Sequence, residues 1–130
     1  MRKTFTKGER LCSRRKIDAL FHGGSSFIIY PFRVVFLFRP LEQDQPFPAQ
    51  VIVSVSKRRF KRAFQRNRIK RLVREVYRLQ KGELLYSKLN QQRIGLDFAI
   101  QYVGKEELPF DTMYSKMKRV LSQLAHEVRS

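Results

Sequence analysis

The chain has 130 residues, and 42% of them are hydrophobic, which is enough for one hydrophobic core and argues against two independent domains. Its 28 Lys and Arg residues against 11 Asp and Glu give a net charge of +17, which opposes compaction unless an anionic partner neutralises it. This charge favours a nucleic acid over an acidic membrane surface, because no apolar run approaches the roughly 20 residues of a spanning helix. We expect a cytoplasmic protein, since no apolar signal segment follows the basic start and the lone Cys12 permits no internal disulfide.

The first half of the chain predicts one helix and two strands. Ser13 is a candidate N-cap for a helix from Arg14 to His22, which Gly23-Gly24 ends. A strand is predicted from Phe32 to Arg39, and Pro40 to Pro48 is expected to form a hairpin-like loop to a second strand from Gln50 to Ser56. Alternation in the first strand divides it into an apolar face, Phe32, Val34, Phe36 and Phe38, and a mixed face, Arg33, Val35, Leu37 and Arg39.

The second half predicts two helices separated by a strand. The first helix runs from about Gln65 to Gln80 and is closed by Lys81-Gly82, and a strand follows from Leu96 to Val103. The segment from Gly82 to Gly95 is either loop or carries a helical turn at Leu84 to Leu89. The last helix starts near Pro109, and one apolar stripe is predicted to face the core: Met113, Met117, Val120, Leu121, Leu124 and Val128. The fold class is therefore α+β, a single domain with one small mixed sheet and three helices in the order helix, strands, helix, strand, helix.

The basic charge is concentrated between Lys57 and Lys81. This segment contains twelve Lys and Arg residues and one acid, Glu75, so it carries +11 of the net +17. On a helical wheel, Ile69, Leu72, Val73 and Val76 share one arc, while the polar residues Asn67, Arg68, Lys70, Arg71, Arg74 and Arg78 occupy the other. A merely solvated face is disfavoured, because like charges at these spacings repel one another within a helix. We therefore expect one face to pack and the other to bind an anion.

RNA is favoured only modestly over DNA by these residues. An arginine-rich helix fits a DNA major groove, but the chain shows neither a heptad seam nor a helix-turn-helix pair. Arginine forks suit the clustered phosphates of a folded RNA, and Asn67 has both a donor and an acceptor for a base or ribose edge.

Two runs resemble the bacterial ribonuclease P protein subunit family. They are Val53-Ser54-Val55-Ser56-Lys57-Arg58 and Arg66-Asn67-Arg68-Ile69-Lys70-Arg71-Leu72-Val73-Arg74-Glu75, which is similar to the family's Arg-Asn-Arg signature helix. The length, the Arg10-Leu11 start and the basic final helix extend the resemblance over nearly the whole chain. The resemblance implies a left-handed strand-helix-strand crossover, whereas the general rule predicts a right-handed one.

The resemblance also implies a function. A catalytic RNA, using magnesium bound to the RNA, would remove the 5′ leader of precursor tRNA. This protein would assist that RNA as a subunit and would be inactive on its own. The expected partners are that RNA and precursor tRNA, with one copy of the protein per RNA and no membrane. The implied RNA-binding residues are Lys57, Arg58, Arg59, Lys61, Arg62, Arg66, Asn67, Arg68, Lys70, Arg71 and Arg74. The implied cleft for the leader contains Ile17, Phe21, Arg33 and Val35, although Phe21 serves equally well as a core residue.

The sequence contains no set of residues whose types and spacing indicate catalysis by the protein itself. His22 and His126 are expected at the surface, Cys12 has no second cysteine for a zinc site, and the loop carboxylates have no metal-ligand context. No catalytic residue, metal site or protein-bound cofactor is therefore predicted. Two rival functions stay open: a ribosomal protein, and an enzyme that cleaves RNA alone.

Overall fold

The computed structural model describes residues 5–128, so the first four residues of the basic start, Met1 to Thr4, lie outside it. A short 3-10 helix, Lys7–Glu9, precedes helix α1 at Arg14–Gly23, which confirms the first predicted helix. The side chain of Ser13 caps α1 by accepting a hydrogen bond of 3.4 Å from the Lys16 amide. Gly24 follows at a position where an added Cβ would lie 2.4 Å from the Leu20 carbonyl oxygen, so only glycine fits this turn.

Four strands form one mixed sheet in the order β1-β2-β4-β3. They are β1 at Ser25–Ile29, β2 at Phe32–Pro40, β3 at Ala49–Val55 and β4 at Ile94–Tyr102. Strand β1 was not predicted, while the other three were. The expected hairpin-like relation of β2 and β3 is wrong, because β4 lies between them, antiparallel to β2 and parallel to β3. The prediction pairs β2 with β3 because they are neighbours in sequence, but β4, the last and most buried strand, occupies the position between them.

The helical region after β3 is longer than predicted. Helix α2 covers Ala63–Lys81, a π-helical turn follows at Gly82–Tyr86, and α3 continues at Ser87–Gln92. The prediction that Lys81-Gly82 closes the helix is wrong, because Gly82 keeps right-handed helical angles, φ −62° and ψ −52°. The alternative of a helical turn at Leu84 to Leu89 is confirmed, and the chain leaves the helix at Arg93 with φ 55°. Helix α4 then covers Phe110–Glu127.

The main core lies between one sheet face and helices α2, α3 and α4. The apolar face of β2 contributes to it as predicted, with Phe38 half-buried at its edge. Val51, Val53 and Val55 of β3 share this face, and the predicted apolar stripe of α4 lies in the same core. A second, smaller cluster lies on the opposite face, where Leu20 and Ile17 of α1 pack with Val35 and Ala99. Helix α1 therefore covers only part of that face.

A buried polar network ties the N-terminal segment to the end of α2. The Glu9 carboxylate is fully buried and accepts hydrogen bonds from Lys81 Nζ and, at 2.6 Å, from the Tyr86 hydroxyl. Tyr77 extends the network by donating to the Tyr86 hydroxyl oxygen at 3.2 Å. Because a buried charge is stable only when it is paired, each member of this group depends on the others.

Candidate RNA interface

Helix α2 divides into a packed face and an exposed face. Ile69, Val73 and Val76 are buried, as the helical wheel predicts, whereas Leu72 is only half-buried at the margin of the core. On the other side, Asn67, Arg68 and Arg71 are exposed, and Lys70 and Arg74 are half-exposed. The predicted polar arc therefore faces solvent, and helical spacing brings its side chains onto one surface.

The loop before α2 presents five exposed basic side chains on a single buried anchor. Lys57, Arg58, Arg59, Lys61 and Arg62 are all exposed. Phe60 lies among them but is 5% exposed and packs against the Tyr102 ring, with centroids 6.0 Å apart. Since the anchor fixes the middle of the loop, the charges on either side of it stay next to the N-terminus of α2.

Several basic side chains of this region have partners within the protein. Arg66 donates from Nη1 to the carbonyl oxygens of Phe60 and Lys61, both at 2.8 Å, and so holds the loop against the helix. Arg59 donates to the Val103 carbonyl oxygen. Lys81, counted in the basic cluster of the sequence, is buried with 4% of its side chain exposed and is paired with Glu9. Lys81 is therefore a core residue and lies outside the exposed basic surface.

Arg10 adds a charge that the predicted set does not contain. The N-terminal segment joins the free edge of β3 through a hydrogen bond of 2.9 Å from the Leu11 amide to the Val51 carbonyl oxygen. This brings Arg10 and Arg74 to the lining of one pocket of about 210 Å³. Burial, followed by repulsion from Arg10, lowers the pKa of Arg74. No local sequence pattern assigns Arg10 to this surface, because its neighbour Arg74 is 64 positions further along the chain.

The residues predicted for the leader cleft lie on α1 and on the sheet face that it partly covers. Ile17 is half-buried against the small cluster, and Val35 is 5% exposed within it. Phe21 is 47% exposed, which favours a surface role over a core role. Arg33 is half-exposed and donates from Nη1 to Gln101 Oε1 at 2.6 Å. The structure thus brings Ile17 and Val35 together and leaves Phe21 and Arg33 accessible.

A polar row across the sheet lies directly beside the covered part of this face. Strand register aligns Arg33 with Gln101 and Gln101 with Ser54, while the exposed Ile28 of β1 lies opposite Arg33 at the end of the row. Ser54 and Gln101 also line a groove of about 550 Å³ together with Arg58 and Arg59 of the loop. The row therefore connects the predicted cleft with the basic loop. Ser54 and Gln101 were not predicted, because the sequence did not reveal which strands are neighbours.

The groups considered for protein-borne chemistry are dispersed. His22, His126 and Cys12 are exposed, and residues 5–128 contain no group of three or more His, Cys, Asp or Glu side chains placed to hold a metal ion. In the same part of the chain, no helix has the length and apolar character needed to cross a membrane.

The fold and its charged surface define a small, basic α+β protein with an arginine-rich helix exposed beside a half-covered sheet. The family model described as Ribonuclease P matches residues 5–125, and the chain belongs to this ribonuclease P protein family. It is 40% identical over 125 residues to the ribonuclease P protein component of Porphyromonas gingivalis strain ATCC 33277, covering 96% of this chain and 89% of the relative. It is 30% identical over 129 residues to the same component of Chlorobium phaeobacteroides strain DSM 266, with coverage of 95% and 86%.

Solved structures support the same fold. The ribonuclease P protein of Thermotoga maritima superposes with a TM-score of 0.67 at 25% identity, covering 94% of this chain and 99% of the other. The protein from Staphylococcus aureus superposes with a TM-score of 0.65, covering 88% and 94%, and at 18% identity this likeness shows the fold alone. The α+β class with one mixed sheet, and the resemblance drawn from the signature helix, are confirmed.

Proposed function

We propose that this protein is the subunit of ribonuclease P that binds the catalytic RNA and the 5′ leader of precursor tRNA, so that the RNA removes the leader. The observation that carries the proposal is the continuous exposed surface formed by the basic loop and the polar arc of α2. This surface contains the implied RNA-binding residues Lys57, Arg58, Arg59, Lys61, Arg62, Arg66, Asn67, Arg68, Lys70, Arg71 and Arg74.

The loop and α2 would bind the catalytic RNA mainly through its phosphates. Each arginine offers a planar fork of donors that matches two phosphate oxygens, and release of counterions from the RNA favours the complex. Arg66 is expected to contribute mostly by holding the loop, since its Nη1 already serves two carbonyl oxygens. Asn67, exposed between two arginines, is suited to a base or ribose edge.

The leader would lie as a single strand along the polar row and α1. Three strands spaced by about 4.8 Å give this row a length of about 10 Å, bordered by Arg58 and Arg59. Arg33 is placed to contact a phosphate, and the exposed Phe21 ring offers a stacking surface for a base. Ile17 of α1 and Val35 of β2 would form an apolar contact that holds α1 beside the row. This division assigns the leader and the catalytic RNA to two adjoining surfaces that meet at Arg58 and Arg59.

The magnesium ions of the reaction would belong to the RNA, and the protein would lower the concentration required. A clustered positive surface reduces repulsion between RNA segments, a task that free magnesium otherwise performs. The decisive experiment is reconstitution with the catalytic RNA of the same organism. We expect the protein to increase cleavage of precursor tRNA at low magnesium, and to cleave nothing without the RNA. A protein that leaves the RNA's activity unchanged would contradict the proposal and favour another RNA target, such as ribosomal RNA.

A further inference from the structure

One arginine of the proposed RNA surface is bound to a carboxylate of the protein itself. Arg68 donates from Nε to Glu107 Oε1 and from Nη2 to Glu107 Oε2, both at 2.6 Å. Glu107 lies in the loop between β4 and α4, 39 positions further along the chain. These hydrogen bonds lower the pKa of Glu107, so the carboxylate stays ionised at neutral pH. The pair places a negative charge inside a surface proposed to bind phosphates.

This arrangement distinguishes Arg68 from the other proposed contacts. Among the described residues, it is the one member of the implied RNA-binding set that forms an ion pair with an acid. Its side chain is 57% exposed, so the pair is open to solvent and accessible to a competing anion. The guanidinium also lies over the Phe64 ring, 5.6 Å from its centroid, which supports its position independently of Glu107.

Glu107 and a phosphate compete for the same donors. The Nε and Nη2 atoms form the side fork of the guanidinium, which is the geometry that binds two oxygens of a carboxylate or a phosphate. An exposed ion pair contributes little to stability, so displacing it is not prohibitive. After displacement, or if the phosphate takes the remaining donors, the Glu107 charge still lies close to the phosphate and repels it.

We propose that Glu107 restrains RNA affinity by competing with RNA phosphates for Arg68. The inference rests on the proposed function, because it requires Arg68 to contact RNA. It predicts that removing the charge of Glu107 strengthens RNA binding, whereas a residue that merely positions Arg68 would weaken binding when changed. The bound RNA must supply contacts at Arg68 that outweigh the internal carboxylate.

The test compares Glu107→Gln with Glu106→Gln in binding to the catalytic RNA of the same organism at low salt. Glu106 is a matched control, since it is the adjacent exposed acid and forms no ion pair among the described residues. We expect Glu107→Gln to bind roughly three- to tenfold more tightly than the unchanged protein, and Glu106→Gln less than about twofold. The gain should shrink as salt screens the repulsion. Glu107→Ala, which also removes the acceptor atoms, should tighten binding as well.

A double-variant cycle separates this inference from the proposed function. Competition for Arg68 is supported if Arg68→Ala weakens binding, Glu107→Gln tightens binding in the unchanged protein, and this gain falls to the small effect of Glu106→Gln in the Arg68→Ala background. If Arg68→Ala weakens binding but Glu107→Gln in the otherwise unchanged protein matches Glu106→Gln or loses affinity, the inference fails alone. It also fails alone if Glu107→Gln tightens binding equally with and without Arg68. If Arg68→Ala binds as tightly as the unchanged protein, the proposed contact and the inference fail together. Thermal melts of each variant confirm that the fold is retained.

Discussion

Ile69 and Arg71 lie two positions apart on α2, but Ile69 faces the core and Arg71 faces solvent. Ile69 is 3% exposed within the main core, whereas Arg71 is exposed and forms no ion pair among the described residues. We expect Ile69→Ala to lower the free energy of unfolding by about 2 to 5 kcal/mol, because it removes buried methyl groups and leaves a cavity. Denaturant unfolding of the free protein measures this loss.

Arg71→Ala should have the complementary effect. It should leave the melting temperature nearly unchanged and weaken binding to the catalytic RNA by roughly ten- to a hundredfold, because one phosphate contact is lost. A filter-binding or fluorescence titration at fixed salt measures the change. Equal losses of stability in the Arg71 and Ile69 variants would mean that the two faces of α2 are assigned wrongly.

The buried hydroxyls of Tyr77 and Tyr86 make stability depend on alkaline pH. Burial raises the pKa of both groups above their ordinary value of 10.0. In the unfolded chain these groups ionise near pH 10, while in the folded protein they stay protonated, so the folded state binds more protons above that pH. Stability contributed by these tyrosines is therefore complete below pH 10 and is lost as pH rises further.

Tyr86→Phe tests this dependence. The variant removes one titrating hydroxyl and should show a shallower loss of stability between about pH 9.5 and 11 than the unchanged protein. It should also be less stable at pH 7, because Glu9 loses a hydrogen bond in a buried site. Unfolding curves across this pH range provide the measurement, and parallel pH profiles for the two proteins would refute the assignment. The lowered pKa of Lys81, caused mainly by burial, acts in the opposite direction in the unchanged protein.

The elements that were predicted correctly are those with strong local periodicity. The faces of α2, α4 and β2 follow from spacing alone, because burial of one face is the dominant local constraint. Pairing between strands was not predictable in this way, so β1, with exposed Ser25 and Ser26, was missed and β2 was joined to the wrong neighbour. The partners Glu107, Gln101 and Glu9 were also missed, because their contacts span 39, 68 and 72 positions.

Helix α1 and strand β2 together supply the two accessible residues of the proposed leader cleft. A double variant, Phe21→Ala with Arg33→Ala, should weaken binding of the assembled enzyme to precursor tRNA with a leader of several nucleotides, since a stacking surface and a phosphate contact are lost. Binding of mature tRNA and of the catalytic RNA should change little. The comparison requires affinities for all three RNAs and a thermal melt of the variant.

Two outcomes would decide against this cleft. Equal losses for leader-bearing and mature tRNA, in a variant that melts normally, would mean that Phe21 and Arg33 serve general RNA contact. A large fall in melting temperature would mean that Phe21 packs, despite its exposure of 47%. Arg33→Ala alone then isolates the contribution of the sheet, because its hydrogen bond to Gln101 lies at the edge of the groove rather than in the core.

At the scale of the whole molecule, the charge of +17 predicts a steep dependence of RNA affinity on salt. Lys81 is buried and Arg78 is paired with Glu75, so the interface contains fewer available cations than the twelve of the sequence segment. If about six of them each neutralise one phosphate, the slope of log affinity against log salt should be about −4 to −5. Titrations at several monovalent salt concentrations, with magnesium held constant, provide this slope. A slope shallower than about −2 would show that the loop and α2 are not the main contact, whatever the single variants do.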